Sequence, residues 1–365
     1  MGRIDQLQGI RALAIVGVFL CHTKVFLGTE VLASVPALDL AMEKLGPTGV
    51  YTFLMLSGFL LGYKGRHVEA KPFKSAVRSA WQKIRKLYGL HLVMLVLAFI
   101  ALFPQTTKEW VLAAVFLPFN LTLTQAWVPL SGCVNSFNGP SWFLSVFWTI
   151  WLFLFLWPGF VNRLQDSPLK KILATGALLL GIQTLYKVLL VVIPFERIPH
   201  SPAFFVWLDY FNPFLCYSEF LVGCVAGVLA RRVTFKRSVR SLFQVASLLL
   251  AGVSLFGISA RNVLYLPAIE LSIALGLVGV LSRETPGARI LQARPLVFLG
   301  NISACFFLIH GTVNYLLDRF FPAEEWAPWL FVGAFLISLG FSVIADWLVQ
   351  RSSRQMSMLK TRPTE

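Results

Sequence analysis

A chain of 365 residues with 57% hydrophobic and only 13% charged residues is too apolar for a water-soluble globule, in which about a quarter of residues are charged. The formal net charge of +15 would suggest nucleic acid in a soluble protein. Here the bases fall between apolar runs, so they report topology and the expected surroundings are a lipid bilayer, with no nucleic acid. The five cysteines, at positions 21, 133, 216, 224 and 305, show no CxxC spacing, which indicates neither a disulfide framework nor a metal site.

Apolar runs long enough for a membrane helix occupy residues 10–27, 48–63, 88–103, 110–126, 142–160, 172–194, 212–230, 241–259, 263–282, 296–317 and 327–349. Arg3 and Asp5 precede the first run and no small-residue cleavage site follows it, which predicts a retained helix. Positive charge collects after the second run, in Lys64, Arg66, Lys71, Lys74, Arg78, Lys83, Arg85 and Lys86, and again in Arg231, Arg232, Lys236, Arg237 and Arg240. Smaller sets are Arg163, Lys170 and Lys171, then Arg283, Arg289 and Arg294, then Arg351, Arg354, Lys360 and Arg362. All of these are expected on the cytoplasmic side. The other connections balance their bases with acids such as Glu30, Asp39, Glu43, Asp318, Glu324 and Glu325.

Parity then excludes one run. The run at 88–103 leaves the basic side and the run at 142–160 must return to it, so 110–126 cannot cross. It contains Pro118 and Asn120 and leads into an uncharged stretch, Ser131 to Ser141, rich in Gly, Ser, Asn and Pro. That pattern predicts a re-entrant or interfacial segment buried in protein. The expected fold is an all-α polytopic membrane bundle of about ten transmembrane helices, with both termini cytoplasmic. A single domain is expected over 1–350, followed by a short basic cytoplasmic tail at 351–365.

The first helix carries an unusual stripe. An α-helix turns about 100° and rises about 1.5 Å per residue, so Arg11 and His22 lie within about 20° of each other and about 16 Å apart in depth. A guanidinium and an imidazole on one side of an apolar helix cost several kcal/mol unless protein, water or ligand satisfies them. Glu219, between Phe214, Leu215 and Phe220, Leu221, Val222, is equally out of place among apolar neighbours, and His310 follows Phe306, Phe307, Leu308 and Ile309. Lys187, Arg261, Glu270 and Asp346 also fall in or at the ends of apolar runs and need pairing.

Four stretches, in order, resemble the acyltransferase family 3 of integral membrane proteins. Arg11 and His22 match its Arg, ten residues, His pattern. Gly49 through Leu61, with Leu56-Ser57-Gly58-Phe59, is similar to its second-helix run. Glu219-Phe220 with Gly223 matches its Glu-Phe-x-x-Gly segment, and Leu299-Gly300 with Ser303 through His310 its Leu-Gly-x-x-Ser run ending in His. The resemblance spans residues 3–349 and implies transfer of an acyl group, usually acetyl, from coenzyme A to a hydroxyl of a glycan or lipid-linked sugar, in a plasma or inner membrane. The chain departs from the family at Gln8, where an Asp is usual, at Ala12, where a Gly is usual, and at Phe147, where many members have Glu. The family's Arg-x-x-Arg pair falls here on Lys83 and Lys86, with Arg85 between.

Transfer from a thioester needs a base for the hydroxyl proton, donors for the developing oxyanion and a site for an anionic nucleotide. His22 is expected as that base, or as a transient acyl carrier. Arg11 would meet the phosphates or thioester oxygen of acetyl-CoA, or else lipid headgroups or Asp5. Lys83, Arg85 and Lys86 would hold the donor's phosphates at the same cytoplasmic vestibule. Glu219 would orient a His or Arg by hydrogen bonding, or form a structural ion pair. Trp142, Ser145 and His310 are expected toward the outer mouth, where they would contact acceptor, or else Trp142 would be an interfacial anchor and His310 would meet only a neighbouring helix. No metal is called for. The competing readings are a proton-coupled transporter relaying through His22, Glu219 and His310, and a scaffold that has lost chemistry, for which Phe147 argues.

Overall fold

The computed structural model describes residues 4–27, 34–193, 201–259, 261–321 and 323–360, so Glu30 and Arg362 lie outside the described residues. The principal helices are α1 (Asp5–Thr23), α2 (Pro36–Lys64), α3 (Phe73–Ala101), α4 (Thr107–Leu121), α5 (Trp142–Leu156), α6 (Gly159–Asp166), α7 (Leu169–Val192), α8 (Pro213–Arg232), α9 (Arg237–Gly252), α10 (Tyr265–Gly279), α11 (Arg294–Phe320) and α12 (Ala323–Lys360). Among the described residues there is no strand. Nine helical segments there are long and apolar enough to span a bilayer, and the tenth expected crossing is α10, at 15 residues. The span leading into α8 starts at Pro202 rather than 212, because the π-helical turn Trp207–Phe211 continues the apolar helix up to Asn212. At the other end, α12 runs to Lys360, so residues 351–360 extend the last helix.

The 110–126 region is a helix followed by a buried irregular stretch. A capping box starts α4: Thr106 Oγ1 accepts from the Glu109 N–H, and the Glu109 carboxylate accepts from the N–H groups of Gln105 and Thr106. Those donors hold the Glu109 carboxyl below the usual carboxylate range. The helix then runs back beside α3, where Trp110 meets Phe99 and Phe103, and His91 Nε2 donates to the Asn120 carbonyl at 3.0 Å. Asn120 is the one buried residue of α4. Residues 122–141 contain only short helical turns and pass through the interior, with Gln125, Asn138 and Ser141 fully buried. Irregular backbone survives in a membrane only where protein satisfies it. Here Ala126 N–H donates to Ser145 Oγ, Trp207 Nε1 donates to the Ala126 carbonyl at 2.8 Å, and Asn138 Nδ2 donates to the Leu308 carbonyl at 2.9 Å.

The basic connections share one end of the bundle. Arg231 and Arg232 both donate to the Gln165 carbonyl, Gln165 Nε2 donates to the Arg66 carbonyl at 2.9 Å, and Asn162 exchanges two hydrogen bonds with the Val68 backbone. Arg240 Nη1 caps the C-terminal end of α10 through the Val278 carbonyl. Two other intramembrane cations are paired in different ways. Lys187 Nζ lies 2.5 Å from Asp209 Oδ1. Buried Lys44 donates to the carbonyls of Ser254, Leu255 and Ile258, which the π-helical turn Val253–Gly257 and its end leave free.

Close helix contact follows from small residues. Gly58 and Gly62 of α2 face Gly223 and Gly227 of α8, and a Cβ at any of the four would collide with backbone of the partner helix, Gly58 with the Phe220 carbonyl and Gly223 with that of Met55. In lipid, where apolar surface is already solvated, such packing supplies much of the drive to associate. Gly58→Val or Gly223→Val is expected to destabilise the bundle by about 1–3 kcal/mol or more, read as a lowered Tm of the purified protein in detergent, whereas Gly89→Val, which has open space around it, should leave Tm unchanged.

Candidate active site

Helix α1 is seated by glycine on two sides. Gly300 of α11 lies against the Gln8 backbone and Gly49 of α2 against the Ala14 backbone, each with no room for a Cβ. That seating brings His22 onto α11. His22 Nδ1 is 2.9 Å from the Val18 carbonyl, and His310 Nδ1 is 3.1 Å from the Phe306 carbonyl. A carbonyl only accepts, so each ring carries its proton on Nδ1. The lone pair of His310 Nε2 then faces the His22 Nδ1–H at 3.4 Å, with ring centroids 5.0 Å apart and edge-on. His22 Nε2 takes part in none of these contacts and keeps its lone pair. The His22 ring is exposed and the His310 ring fully buried. Asn314 Nδ2 donates to the His22 carbonyl at 3.2 Å and fixes the end of α1.

Nearer the basic end lies a cavity of about 200 Å³. Arg11, Ser57, Lys83 and Ser303 form its polar wall, and Phe53, Phe143, Phe147 and Phe307 its aromatic wall. Arg11 Nη1 also donates to Gln8 Oε1 at 3.4 Å, and the Lys83 ammonium sits 4.3 Å over the Trp151 ring. The two hydroxyls turn back on their own helices, Ser57 to the Phe53 carbonyl and Ser303 to the Gly300 carbonyl. Arg11, Ser57 and Ser303 come from three of the four sequence stretches singled out above, which the fold thus gathers at one void.

The family model for the acyltransferase domain, Acyl_transf_3, matches residues 4–347. The chain belongs to this acyltransferase family. It is 28% identical to the acyltransferase MdmB of Streptomyces mycarofaciens over 374 aligned positions, which cover 95% of this chain and 89% of MdmB. No solved structure matches it. The protein is an integral multi-pass membrane acyltransferase.

Against that family identity, several sequence-based placements change. Arg11 and His22 share a stripe, but His22 does not line the Arg11 cavity. Phe307 lines it and meets the rings of Phe53 and Phe143 at 5.9 and 5.1 Å, and the His310 ring at 5.9 Å. The three phenylalanine rings form an aromatic layer in the cavity wall, and the cavity's lining reaches neither imidazole, unlike the single chamber expected from the sequence. The basic triple divides: Lys83 lines the cavity, while Arg85 and Lys86, turned about 200° and 300° further round α3, line a separate groove.

Glu219 makes no hydrogen bond to a His or Arg. Both of its oxygens are buried without a hydrogen-bond partner, and its ionisable neighbours are Glu270 and Lys187. The reason is its register: Glu219, Gly223 and Gly227 form one stripe of α8 turned onto α2, and α2 in turn packs against α1. Glu270 accepts from Gln183 Nε2 at 3.0 Å, and that amide also donates to Ser218. Trp142 and Ser145 are inside the bundle rather than at an outer mouth. Trp142 packs on Tyr210 and Phe211, and Ser145 holds the re-entrant backbone at Ala126.

His310 lies against His22 of α1, the neighbouring-helix contact expected as its alternative to an acceptor contact. Phe147, where the family resemblance led to an expected Glu, is a wall of the cavity. Ser57 and Ser303 stood in the sequence motifs and carried no assignment there, because a Ser in an apolar helix is more often satisfied by its own backbone. Among the described residues no three His, Cys, Asp or Glu side chains cluster as metal ligands.

The contrast in exposure is directly measurable. Diethyl pyrocarbonate is expected to modify His22 and the exposed His67 in the detergent-solubilised protein while sparing His91 and His310, which are fully buried; peptide mass spectrometry reads the sites, and protection of His22 would contradict the geometry.

Proposed function

We propose that this acyltransferase moves an acetyl group from cytoplasmic acetyl-CoA to a hydroxyl of a glycan or lipid-linked sugar, with the lone pair of His22 Nε2 as general base. The observation that supports this reading is the ordered pair of imidazoles: His22, with Nδ1–H engaged by Val18 and His310, keeps Nε2 out of these contacts. The acceptor class rests on the family resemblance.

In this mechanism His22 Nε2 takes the acceptor's hydroxyl proton as the oxygen attacks the thioester carbonyl. The tetrahedral intermediate collapses, the C–S bond breaks, and the coenzyme A thiolate leaves with the proton that His22 had accepted. The charge on His22 during this step is met at Nδ1–H by the Val18 carbonyl and His310 Nε2. His310 is a positioning residue that reinforces the tautomer set by the Val18 carbonyl, much as a carboxylate does in a hydrolytic triad.

Arg11 and Lys83 serve the donor. They are the two cations on the wall of the basic-end cavity, and Arg11 stands about 16 Å along α1 from His22, too far to touch the reacting carbonyl while His22 removes the proton. Their assigned ligands are the donor's phosphates, with the thin pantetheine arm parting the layer of Phe53, Phe143 and Phe307 to bring the thioester to His22. Phe147 leaves the cavity without the carboxylate that many relatives place there, which favours an anionic occupant.

His22→Gln is expected to lower kcat/KM by about 100-fold or more while the protein remains folded, and His310→Gln to lower kcat by less. Lys83→Met should raise KM for acetyl-CoA by about tenfold, the loss of one charge-assisted contact of about 1.4 kcal/mol, with kcat unchanged. All three are read with purified protein and labelled acetyl-CoA in the absence of any ion gradient, a condition under which a proton-coupled transporter would transfer nothing.

A further inference from the structure

On the side of α3 away from the Arg11 cavity, a groove of about 660 Å³ opens between α3, α11 and α12. Its floor is apolar, from Leu90, Val93, Met94 and Leu97 of α3 to Phe341 and Ile344 of α12, and only Arg85, Lys86 and Thr312 bring polar side chains. Val93, Phe341 and Ile344 are exposed, so the groove opens sideways where a helix bundle meets lipid. Arg85 Nε is buried yet has no hydrogen-bond partner in the protein. A guanidinium nitrogen in that condition needs an acceptor from elsewhere. Asp346 of α12 accepts from Gln350 at 2.6 Å and does not line the groove.

Depth and length identify the occupant. Arg85 and Lys86 stand where the basic first half of α3 gives way to its apolar half, opposite Leu348 and Val349, where α12 reaches Gln350 and Arg351. That is the level of the headgroups on the side of the basic connections. From Arg85 to Leu97 is twelve residues, about 18 Å of helix, close to the roughly 15 Å hydrocarbon depth of a single leaflet. We propose that this groove binds one anionic phospholipid of that leaflet, its phosphate on Arg85 and Lys86 and an acyl chain laid along Val93, Leu97 and Ile344. Lipid charge then acts at the helix that also carries Lys83 into the cavity, on its other face.

Native mass spectrometry of the full-length protein, released from mixed micelles with equal phosphatidylglycerol and phosphatidylcholine, tests this. The wild type is expected to retain one phosphatidylglycerol in preference to phosphatidylcholine by about tenfold. The double variant Arg85→Gln/Lys86→Gln should lose the preference, and Val93→Trp, or Ile344→Trp where the first is unstable, should lose the bound lipid of either kind. Equal retention of the two lipids by the wild type would overturn the proposal. So would an undiminished preference in the double variant, or retention undisturbed by filling the groove with tryptophan, which would place the lipid elsewhere.

Discussion

The close approach of α1 to α11 is the contact on which the site depends. It exists because Gly300 offers no side chain to the Gln8 backbone. With α1 that near, the two imidazoles meet at hydrogen-bond range near the far end of α1, and Asn314 holds the end of that helix. A membrane interior makes such contacts decisive. With no water at hand, a ring nitrogen takes its proton position from whichever carbonyl or imidazole it touches, so backbone geometry sets the tautomer and the tautomer sets which nitrogen can act as a base.

The same rule, that polar groups in lipid must be satisfied by protein, shapes the rest of the bundle. The buried irregular stretch is tolerated because Ser145 and Trp207 satisfy the Ala126 backbone and Asn138 ties the stretch to the Leu308 carbonyl. Lys44 is tolerated because three carbonyls of a frayed helix end take it. Where a polar group is left unmatched, as at the Nε of Arg85 and the carboxyl of Glu219, the structure marks places where something other than this chain's own hydrogen bonds is called for. In the cationic cavity and the lipid-facing groove, α3 serves two compartments with adjacent residues: Lys83 inward and Arg85 with Lys86 outward.

Much of this was legible from residue order because it depends on local rules. Run length and the placement of Lys and Arg specify the crossings and the shared end of the basic connections. Parity with Pro118 and Asn120 singles out a segment that is absent from the long apolar helices, and a 100° helical step puts Arg11 and His22 on one stripe. What was hidden depends on contacts between distant parts of the chain. His22 and His310 are 288 positions apart, and no periodicity reports that they touch. The aromatic layer is built by Phe53, Phe143 and Phe307 from three helices, each an ordinary apolar residue in its own run. Glu219 looked like an orienting carboxylate because its sequence neighbours are apolar, but the direction of a helix face is set by Gly223 and Gly227 packing on α2. The split of Lys83 from Arg85 and Lys86 follows from helix rotation, and charge spacing alone did not say which side of α3 faced the cavity.

Base catalysis by His22 depends on where its ring proton resides, which ¹⁵N resonances of histidine-labelled protein report at neutral pH, assigned by comparison with a His22→Gln sample. The expected result is a proton on Nδ1 and a bare Nε2, with the Nδ1 signal moving when His310 is replaced by Gln. A proton on Nε2, or an Nδ1 signal indifferent to His310, would contradict the assignment of His22 as the base.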